Sequence, residues 1–205
     1  MLLRKIKSFS FLAVALILVG PAKAVPVYNE TIDGDFSNNR GAPTVVNFGL
    51  GENDVFGQTG STSGVTDRDY FTFTVPVGSV LVSLTVLNSS LTAGGATFLG
   101  LQAGNVVTVD PAAPNAALLL GYELVSPADI NIDILPAMTT AAGAAGFTVP
   151  LGAGQYSVWI QDSNIAPSVY GLQFEVNSVP EPGTPMLLIA SLATLGWVLR
   201  RKQTK

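Results

Sequence analysis

Two pairs of aspartates are the residues of this sequence best suited to chemistry. Asp67 and Asp69 flank Arg68 at the start of an aromatic run, where strand alternation points both carboxylates the same way. Asp33 and Asp35 open a short polar stretch further upstream. Two like charges on one face favour a nearby cation. We therefore predict that Asp67 and Asp69 bind Ca2+ or are balanced by Arg40, with a solvated turn as the alternative.

The segment that starts at Asp33 resembles the beginning of a calcium-binding loop. Asp33, Asp35 and Ser37 match the first three ligand positions of such a loop. Asn38 then stands where the turn glycine belongs, and Thr44 stands where a bidentate glutamate belongs. The stretch does not complete an EF-hand, and a polar turn without metal explains the same residues.

The residue types that are missing exclude most catalytic mechanisms. The chain has no histidine and no cysteine, and no lysine between Ala24 and Arg201. Serine–histidine and cysteine–histidine nucleophiles, Schiff bases and ordinary zinc sites are therefore excluded. We predict no catalytic residue and no enzymatic activity. A pair of carboxylates that hydrolyses glycosides is the remaining enzymatic alternative, and the candidates for it are Asp54, Asp67, Asp69, Glu123 and Asp162.

The charge of the chain is distributed unevenly. Between Val25 and Leu199 there are two arginines, Arg40 and Arg68, and all 14 acidic residues, which gives a formal net charge of −12. Such a surface repels phosphate backbones, so we predict no binding to nucleic acid. It attracts divalent cations or basic partners instead.

The N-terminus has the layout of a secretory signal peptide. A basic start is followed by the uncharged apolar stretch Phe9–Gly20, and Ala22 and Ala24 form a small-residue cleavage site. We predict that residues 1–24 direct export through the translocase and that signal peptidase leaves Val25 as the first residue. An uncleaved N-terminal anchor is the alternative.

The C-terminus is a second targeting segment. Residues 179–205 contain an exposed hinge, a short apolar span at 185–199 and a basic end, namely Val179, Pro180, Glu181 and Pro182, then Arg200, Arg201 and Lys202. The proline rings favour extended backbone, which a protease binds as a strand. The basic residues stay on the cytoplasmic side of a membrane. Fifteen residues make about 22 Å of helix, which is short for a permanent anchor.

This tail resembles the PEP-CTERM sorting signal of Gram-negative bacteria. The resemblance implies an exported protein that is anchored transiently in the inner membrane and then cut or transferred by an exosortase near Pro180–Glu181–Pro182. It also implies a final location at the cell surface or in the extracellular matrix, in association with exopolysaccharide. An unprocessed single-pass anchor is the alternative.

The part between the targeting segments, residues 25–178, shows the alternation of β-strands. Short alternating runs are broken by Gly, Pro, Asn and Asp, and no stretch has helical spacing. The runs are 44–50, 70–75, 80–88, 96–102, 106–110, 117–125, 129–134, 155–162 and 168–176. They predict an all-β domain, an antiparallel, jelly-roll-like β-sandwich, which builds its core without disulfides.

The order of these runs resembles the bacterial pre-peptidase C-terminal domain, a small β-sandwich. The similarity extends over roughly residues 30–176 and rests on four short motifs, Asp67–Phe73, Pro76–Gly78, Gly152–Val158 and Tyr170–Leu172. We therefore expect a structural or adhesive surface protein. A calcium-dependent carbohydrate-binding module or a carbohydrate-active enzyme is the alternative. Four aromatic residues either stack on sugar or belong to the core: Tyr122, Tyr156, Trp159 and Tyr170.

Overall fold

The computed structural model describes residues 26–62, 65–89, 95–162 and 167–180. Within them the strands are β1 (Pro26–Asn29), β2 (Thr44–Val45), β3 (Gly51–Thr59), β4 (Ser61–Thr62), β5 (Val65–Thr66), β6 (Arg68–Val75), β7 (Ser79–Ser89), β8 (Thr97–Ala103), β9 (Gly121–Val125), β10 (Gly154–Gln161) and β11 (Ser168–Ser178). The helices α1 (Glu30–Asp33) and α2 (Leu135–Met138) are single turns. The predicted all-β class is confirmed.

Two sheets form the sandwich. The four-stranded sheet has the order β1-β3-β11-β7, and the five-stranded sheet has the order β2-β6-β10-β8-β9. The prediction of purely antiparallel pairing is wrong at two edges, because β1 pairs with β3 and β2 pairs with β6 in parallel. Between the two strands of each of these pairs, the chain forms a strand of the opposite sheet. Such a crossover returns it in the same direction, whereas a hairpin would reverse it.

The core lies between the two sheets and follows the alternation of the sequence. Phe71 and Phe73 of β6 face Leu172 and Phe174 of β11, and all four are buried. Phe174 is central, since its ring centroid lies 5.3 Å from that of Phe73 and 4.9 Å from that of Phe48. Opposite parity places Trp159 of β10 on the outer face of the five-stranded sheet, in a second buried cluster with Tyr70, Val107, Val109 and Leu119.

We expect Phe174→Ala to lower the free energy of unfolding by about 3–5 kcal/mol, because it removes a buried ring from the centre of the packed core. Val77→Ala is the matched control, since Val77 is 97% exposed and its truncation should change stability by less than about 0.5 kcal/mol. Urea denaturation of the exported domain measures both. Equal midpoints for the two variants would contradict this account of the core.

Four predicted strands differ from the structure. Residues 129–134 do not form a strand, because Pro127–Asp129 is a turn of 3-10 helix closed by a reciprocal Ser126–Asp129 capping box. The segment then makes only isolated bridges to the edge of β7. Residues 106–110 are loop. Of the strand predicted at 44–50, only β2 forms. The strand predicted at 117–125 begins only at Gly121.

Candidate metal centre

One end of the sandwich carries an acidic cluster built from three separate segments. Helix α1 supplies Glu30 directly after β1, with Asn29 as its N-cap. Gly34, at φ 98°, turns the chain behind the helix and brings back Asp35. β6 supplies Asp69 near its start. An oxygen from each of Glu30, Asp35 and Asp69 lies within 4.8 Å of the others.

Asp69 is the unusual member of this cluster. It has the same parity along β6 as Phe71 and Phe73, so its carboxylate points into the end of the core and is fully buried. Its Oδ2 accepts a hydrogen bond of 2.7 Å from the Tyr170 hydroxyl, which is itself buried. Its Oδ1 is buried without any hydrogen-bond partner among the described residues. A buried carboxylate oxygen in that state is strongly destabilising unless a proton or a cation compensates it.

Glu30 is held rigidly at the mouth of the cluster. Its Oε1 accepts from the Phe36 amide at 2.9 Å and its Oε2 accepts from the Gln58 amide at 2.6 Å. These bonds fix the carboxylate between the loop after α1 and strand β3. Asp35 is exposed, so the cluster opens to solvent on that side while Asp69 closes it from within.

Burial raises the pKa of both inner carboxyls. The pKa of Asp69 rises to about 9, chiefly through desolvation and then through the charge of Glu30, against the lowering effect of the Tyr170 hydrogen bond. The pKa of Glu30 rises to about 7, again chiefly through desolvation, although its two amide hydrogen bonds oppose the rise. At neutral pH without a cation, the cluster therefore retains a proton on Asp69.

These pKa shifts predict a stability that falls as the pH rises when metal is absent. A folded-state pKa above the unfolded value means that the folded chain binds more protons, so stability is greatest near pH 4 and is lost towards pH 9. Asp69 alone contributes a slope of at most about 1.4 kcal/mol per pH unit. Denaturation in chelator at a series of pH values measures the slope, and a stability that rises over this window would contradict it.

The two arginines of the exported domain do not neutralise the cluster. The Arg40 guanidinium donates through Nη1 to the Thr108 carbonyl at 3.0 Å and to the Val107 carbonyl at 3.3 Å. Arg68 donates through Nε to Gln161 Oε1 at 2.6 Å. Arg40 as the balancing cation is therefore a wrong prediction, and compensation has to come from a proton or a metal ion.

The geometry and the chemistry of the cluster suit Ca2+. Calcium binds six to eight oxygen ligands at about 2.3–2.6 Å, so two oxygens on one ion lie at most about 4.6–5.2 Å apart. The three carboxylates meet that limit. Mg2+ requires shorter distances and keeps most of its water, and Zn2+ prefers nitrogen and sulfur ligands. This donor set contains only oxygen.

The predicted metal ligands divide into two groups. Asp69 and Asp35 lie in the cluster, whereas Asp67 and Asp33 do not belong to it. The Asp67 carboxylate lies before β6 and accepts a hydrogen bond from Asn38 Nδ2 at 3.2 Å. Asp33 accepts from the Asn29 amide and closes the first turn of α1. Glu30 was not predicted, because no local pattern links it to a residue 39 positions later.

The aromatic residues belong to the core rather than to an exposed sugar-binding face. Tyr156, Trp159 and Tyr170 are buried, and only Tyr122 is half-exposed. Trp159 and Tyr122 do line a mostly apolar cavity of about 370 Å3, together with Phe98, Pro111 and Pro114. A sugar-binding site needs more polar groups than this lining supplies.

The C-terminal segment matches a known protein family. Residues 178–202 match the family described as the PEP-CTERM protein-sorting motif. The tail is therefore a sorting signal of exported proteins, which implies transient membrane anchoring and an exosortase as the processing partner. No curated protein matches the chain in sequence.

The chain is also similar to one solved domain, the pre-peptidase C-terminal domain of a collagenase from Bacillus anthracis. The sequence identity is 15% and the TM-score is 0.38, with 68% of this chain and 100% of that chain covered. The two-sheet architecture of this chain is established by its own strand pairing.

Several predicted targeting features lie outside the described residues. They are the signal peptide with Ala22, Ala24 and Val25, the motif residues Glu181 and Pro182, the span at 185–199, and Arg200, Arg201 and Lys202. Val179 and Pro180 are described and exposed. Within the described part of the chain, no helix has the length and apolar character needed to cross a bilayer.

Proposed function

We propose that this chain is a structural or adhesive protein of the cell surface or extracellular matrix, whose β-sandwich binds Ca2+ at Glu30, Asp35 and Asp69 after export. The observation that carries the calcium site is the buried, unpartnered Oδ1 of Asp69 beside two further carboxylates. A bivalent cation satisfies that oxygen and removes the mutual repulsion of the three charges. Extracellular modules commonly use calcium sites with Kd values of about 0.1–1 mM.

The acidic residues support a binding role rather than hydrolysis. Among the described residues, one oxygen from each of the three carboxylates of the acidic cluster lies within 4.8 Å of the others. The paired carboxyls of glycosidases lie about 5–9.5 Å apart, on the two sides of the scissile bond. Together with the missing histidine and cysteine, this spacing favours the absence of an enzymatic activity.

The open side of the cluster favours a second role, calcium-dependent binding of polysaccharide. Three carboxylates leave coordination positions of Ca2+ unfilled, and the exposed Asp35 shows on which side they lie. Sugar hydroxyl pairs can replace water at such positions. This arrangement supports association with exopolysaccharide, which the tail resemblance also implies.

Terbium luminescence tests the metal site directly. Tb3+ binds oxygen sites made for Ca2+ and emits when a nearby tyrosine is excited, and the Tyr170 hydroxyl contacts Asp69. We expect emission that Ca2+ displaces, and its loss in Asp69→Asn. Asp110→Asn is the matched control, because the exposed Asp110 carboxylate accepts from the Ala112 amide and does not belong to the cluster, so this change should leave emission unchanged. Emission that survives Asp69→Asn would refute the site.

Two further assays separate the candidate roles. A screen of the exported domain against ester, peptide and polysaccharide substrates should show no turnover, and turnover that disappears when one carboxylate becomes an amide would establish an enzyme.

Co-sedimentation with polysaccharide in calcium and in chelator tests the second role, calcium-dependent binding of polysaccharide. Equal binding in both conditions would exclude a calcium-dependent sugar site.

A further inference from the structure

The sorting motif begins inside the folded sandwich. The motif starts at Ser178, which is the last residue of β11 and pairs with Ser79 of β7. The next amide, that of Val179, donates to the Gly78 carbonyl at 2.7 Å. The first two residues of the motif are therefore hydrogen-bonded to the sheet, and no linker separates the domain from Pro180.

Exposed aliphatic side chains surround this exit point. Val77 forms the tip of the β6–β7 turn and is 97% exposed, and its neighbour Gly78 holds Val179, which is 48% exposed. Leu50 is 63% exposed and precedes Gly51, the residue that pairs with Val176 near the end of β11. We call Leu50, Val77 and Val179 the exit tip.

The length of the chain limits how far the exit tip can lie from the membrane. Only residues 181–184 separate Pro180 from the apolar run that starts at Pro185. Five residue steps reach at most about 18 Å when fully extended. The headgroup layer on one side of a bilayer is itself about 5–8 Å thick. In the anchored precursor, the exit tip is thus held within a short distance of the lipid surface.

The charges at this end indicate which part of the bilayer it can contact. Glu52, at the start of β3, is exposed there, whereas Arg40 and Arg68 have their guanidinium groups elsewhere. A contact that depends on anionic lipid would need basic residues. Apolar side chains at the tips of loops insert instead at the boundary between headgroups and acyl chains, with a gain that scales with the buried area.

We propose that the exit tip contacts the bilayer in the anchored precursor, with Val77 and Leu50 in the headgroup layer. The contact orients the sandwich with the sorting motif at the membrane surface and with the acidic cluster pointing away. Asp69 lies six residues before Val75 along β6, which places the cluster about 20 Å from the exit tip. The proposal rests on the transient membrane anchoring that the sorting motif at residues 178–202 implies.

The absence of cysteine makes a direct test possible, because every introduced cysteine is unique. Full-length Val77→Cys carries a small environment-sensitive fluorophore and is reconstituted into phosphatidylcholine vesicles with headgroup spin-labelled lipid. Ile32→Cys is the matched control, since Ile32 is also an exposed aliphatic residue but lies on α1 beside the acidic cluster. We expect strong quenching and a blue shift at position 77 and neither effect at position 32. Adding Leu50→Ser to Val77→Cys should reduce the quenching.

Vesicle flotation separates the possible failures. Protein that floats with the vesicles but shows equal quenching at positions 77 and 32, or none at 77, overturns the proposed contact and leaves anchoring intact. Protein that does not float overturns the contact and the anchoring together.

Discussion

Replacing Asp69 with asparagine stabilises the metal-free protein and removes the stabilisation that Ca2+ gives to the unmodified chain. In chelator at pH 8, the amide oxygen still accepts from the Tyr170 hydroxyl, while Nδ2 offers a donor to the neighbouring carboxylates. In the unmodified chain the metal-free Asp69 carboxyl stays protonated at a pH far above its unfolded-state pKa, and its buried Oδ1 has no hydrogen-bond partner among the described residues. The amide avoids that cost, because it is neutral in the folded and in the unfolded state. We expect a gain of about 1–3 kcal/mol in the free energy of unfolding, the usual penalty of such a group.

In calcium this difference is cancelled or reversed. A ligand at a hundredfold excess over its Kd stabilises the folded state by about 2.7 kcal/mol, which corresponds to a rise of about 5–10 °C in Tm for a domain of this size. Asp69→Asn should gain almost nothing. Asp67→Asn should lose a smaller part of the calcium effect, and Asp33→Asn the least, because these carboxylates lie outside the cluster.

Thermal melts in calcium, in chelator and in sodium chloride of equal ionic strength measure these effects. Diffuse screening does not prefer calcium over sodium at equal ionic strength. Identical melts in the three conditions would show that the cluster binds no ion. A variant that is destabilised in every condition would show that Asp69 only serves as the acceptor for Tyr170.

The strands whose sequence is amphipathic could be predicted well. In β6, β10 and β11 one parity is apolar because it faces the opposite sheet, and the pattern placed Phe71, Ile160 and Phe174 correctly in the core. The same alternation placed Trp159 on the other face of β10. That side chain is buried as well, because the outer face of the five-stranded sheet is also covered. Local alternation is sufficient to predict a strand wherever the surroundings of each of its faces stay the same along its length.

Strand β3 could not be predicted, because its interior contains polar side chains. Asn53 and Asp54 are buried in the middle of Gly51–Thr59 and interrupt the apolar alternation. The Asn53 amide is satisfied by the Gly49, Gly51 and Phe174 carbonyls, so its burial depends partly on a strand 121 residues away. No window of local sequence contains that information.

The acidic cluster shows the same division between local and distant signals. Asp69 has the parity of Phe71, so the sequence does contain the signal that one carboxylate faces the core. Glu30 reaches it because β1 pairs in parallel with β3 and places α1 over the Gln58 amide. A parallel edge pairing of this kind depends on a crossover between sheets, which residue periodicity does not predict.

We expect the double replacement of Pro180 and Pro182 with alanine to leave most of the protein as anchored precursor in a bacterium that expresses an exosortase. Each proline ring restricts the unbound chain, and its removal costs about 0.4–1 kcal/mol in extra conformational entropy. Two such losses lower kcat/KM about fourfold to thirtyfold, before any direct contact of the rings with the protease is counted. Intact-mass measurement and membrane fractionation report the uncut tail.

Pro185→Ala is the matched control, since it changes the same residue type just beyond the motif. Processing of this variant should be unchanged. Normal cleavage of the double variant would show that the exosortase does not depend on the two rings. Recovery of the complete tail on the unmodified surface protein would show that the motif is not processed at all.

The position of the motif allows an experiment that distinguishes two properties the exosortase could recognise. One is the Pro-Glu-Pro sequence itself, and the other is its distance from the folded sheet. Val179 is hydrogen-bonded to Gly78, so the folded sheet ends immediately before Pro180. Inserting Gly-Ser-Gly between Val179 and Pro180 keeps Pro-Glu-Pro intact but moves it about 10 Å further from the sheet when extended. If the prolines act as a local recognition strand, this insertion preserves cleavage and does not rescue the double alanine variant. If instead the enzyme reads the distance from the sandwich, the insertion alone prevents cleavage, and the exit tip becomes part of the substrate.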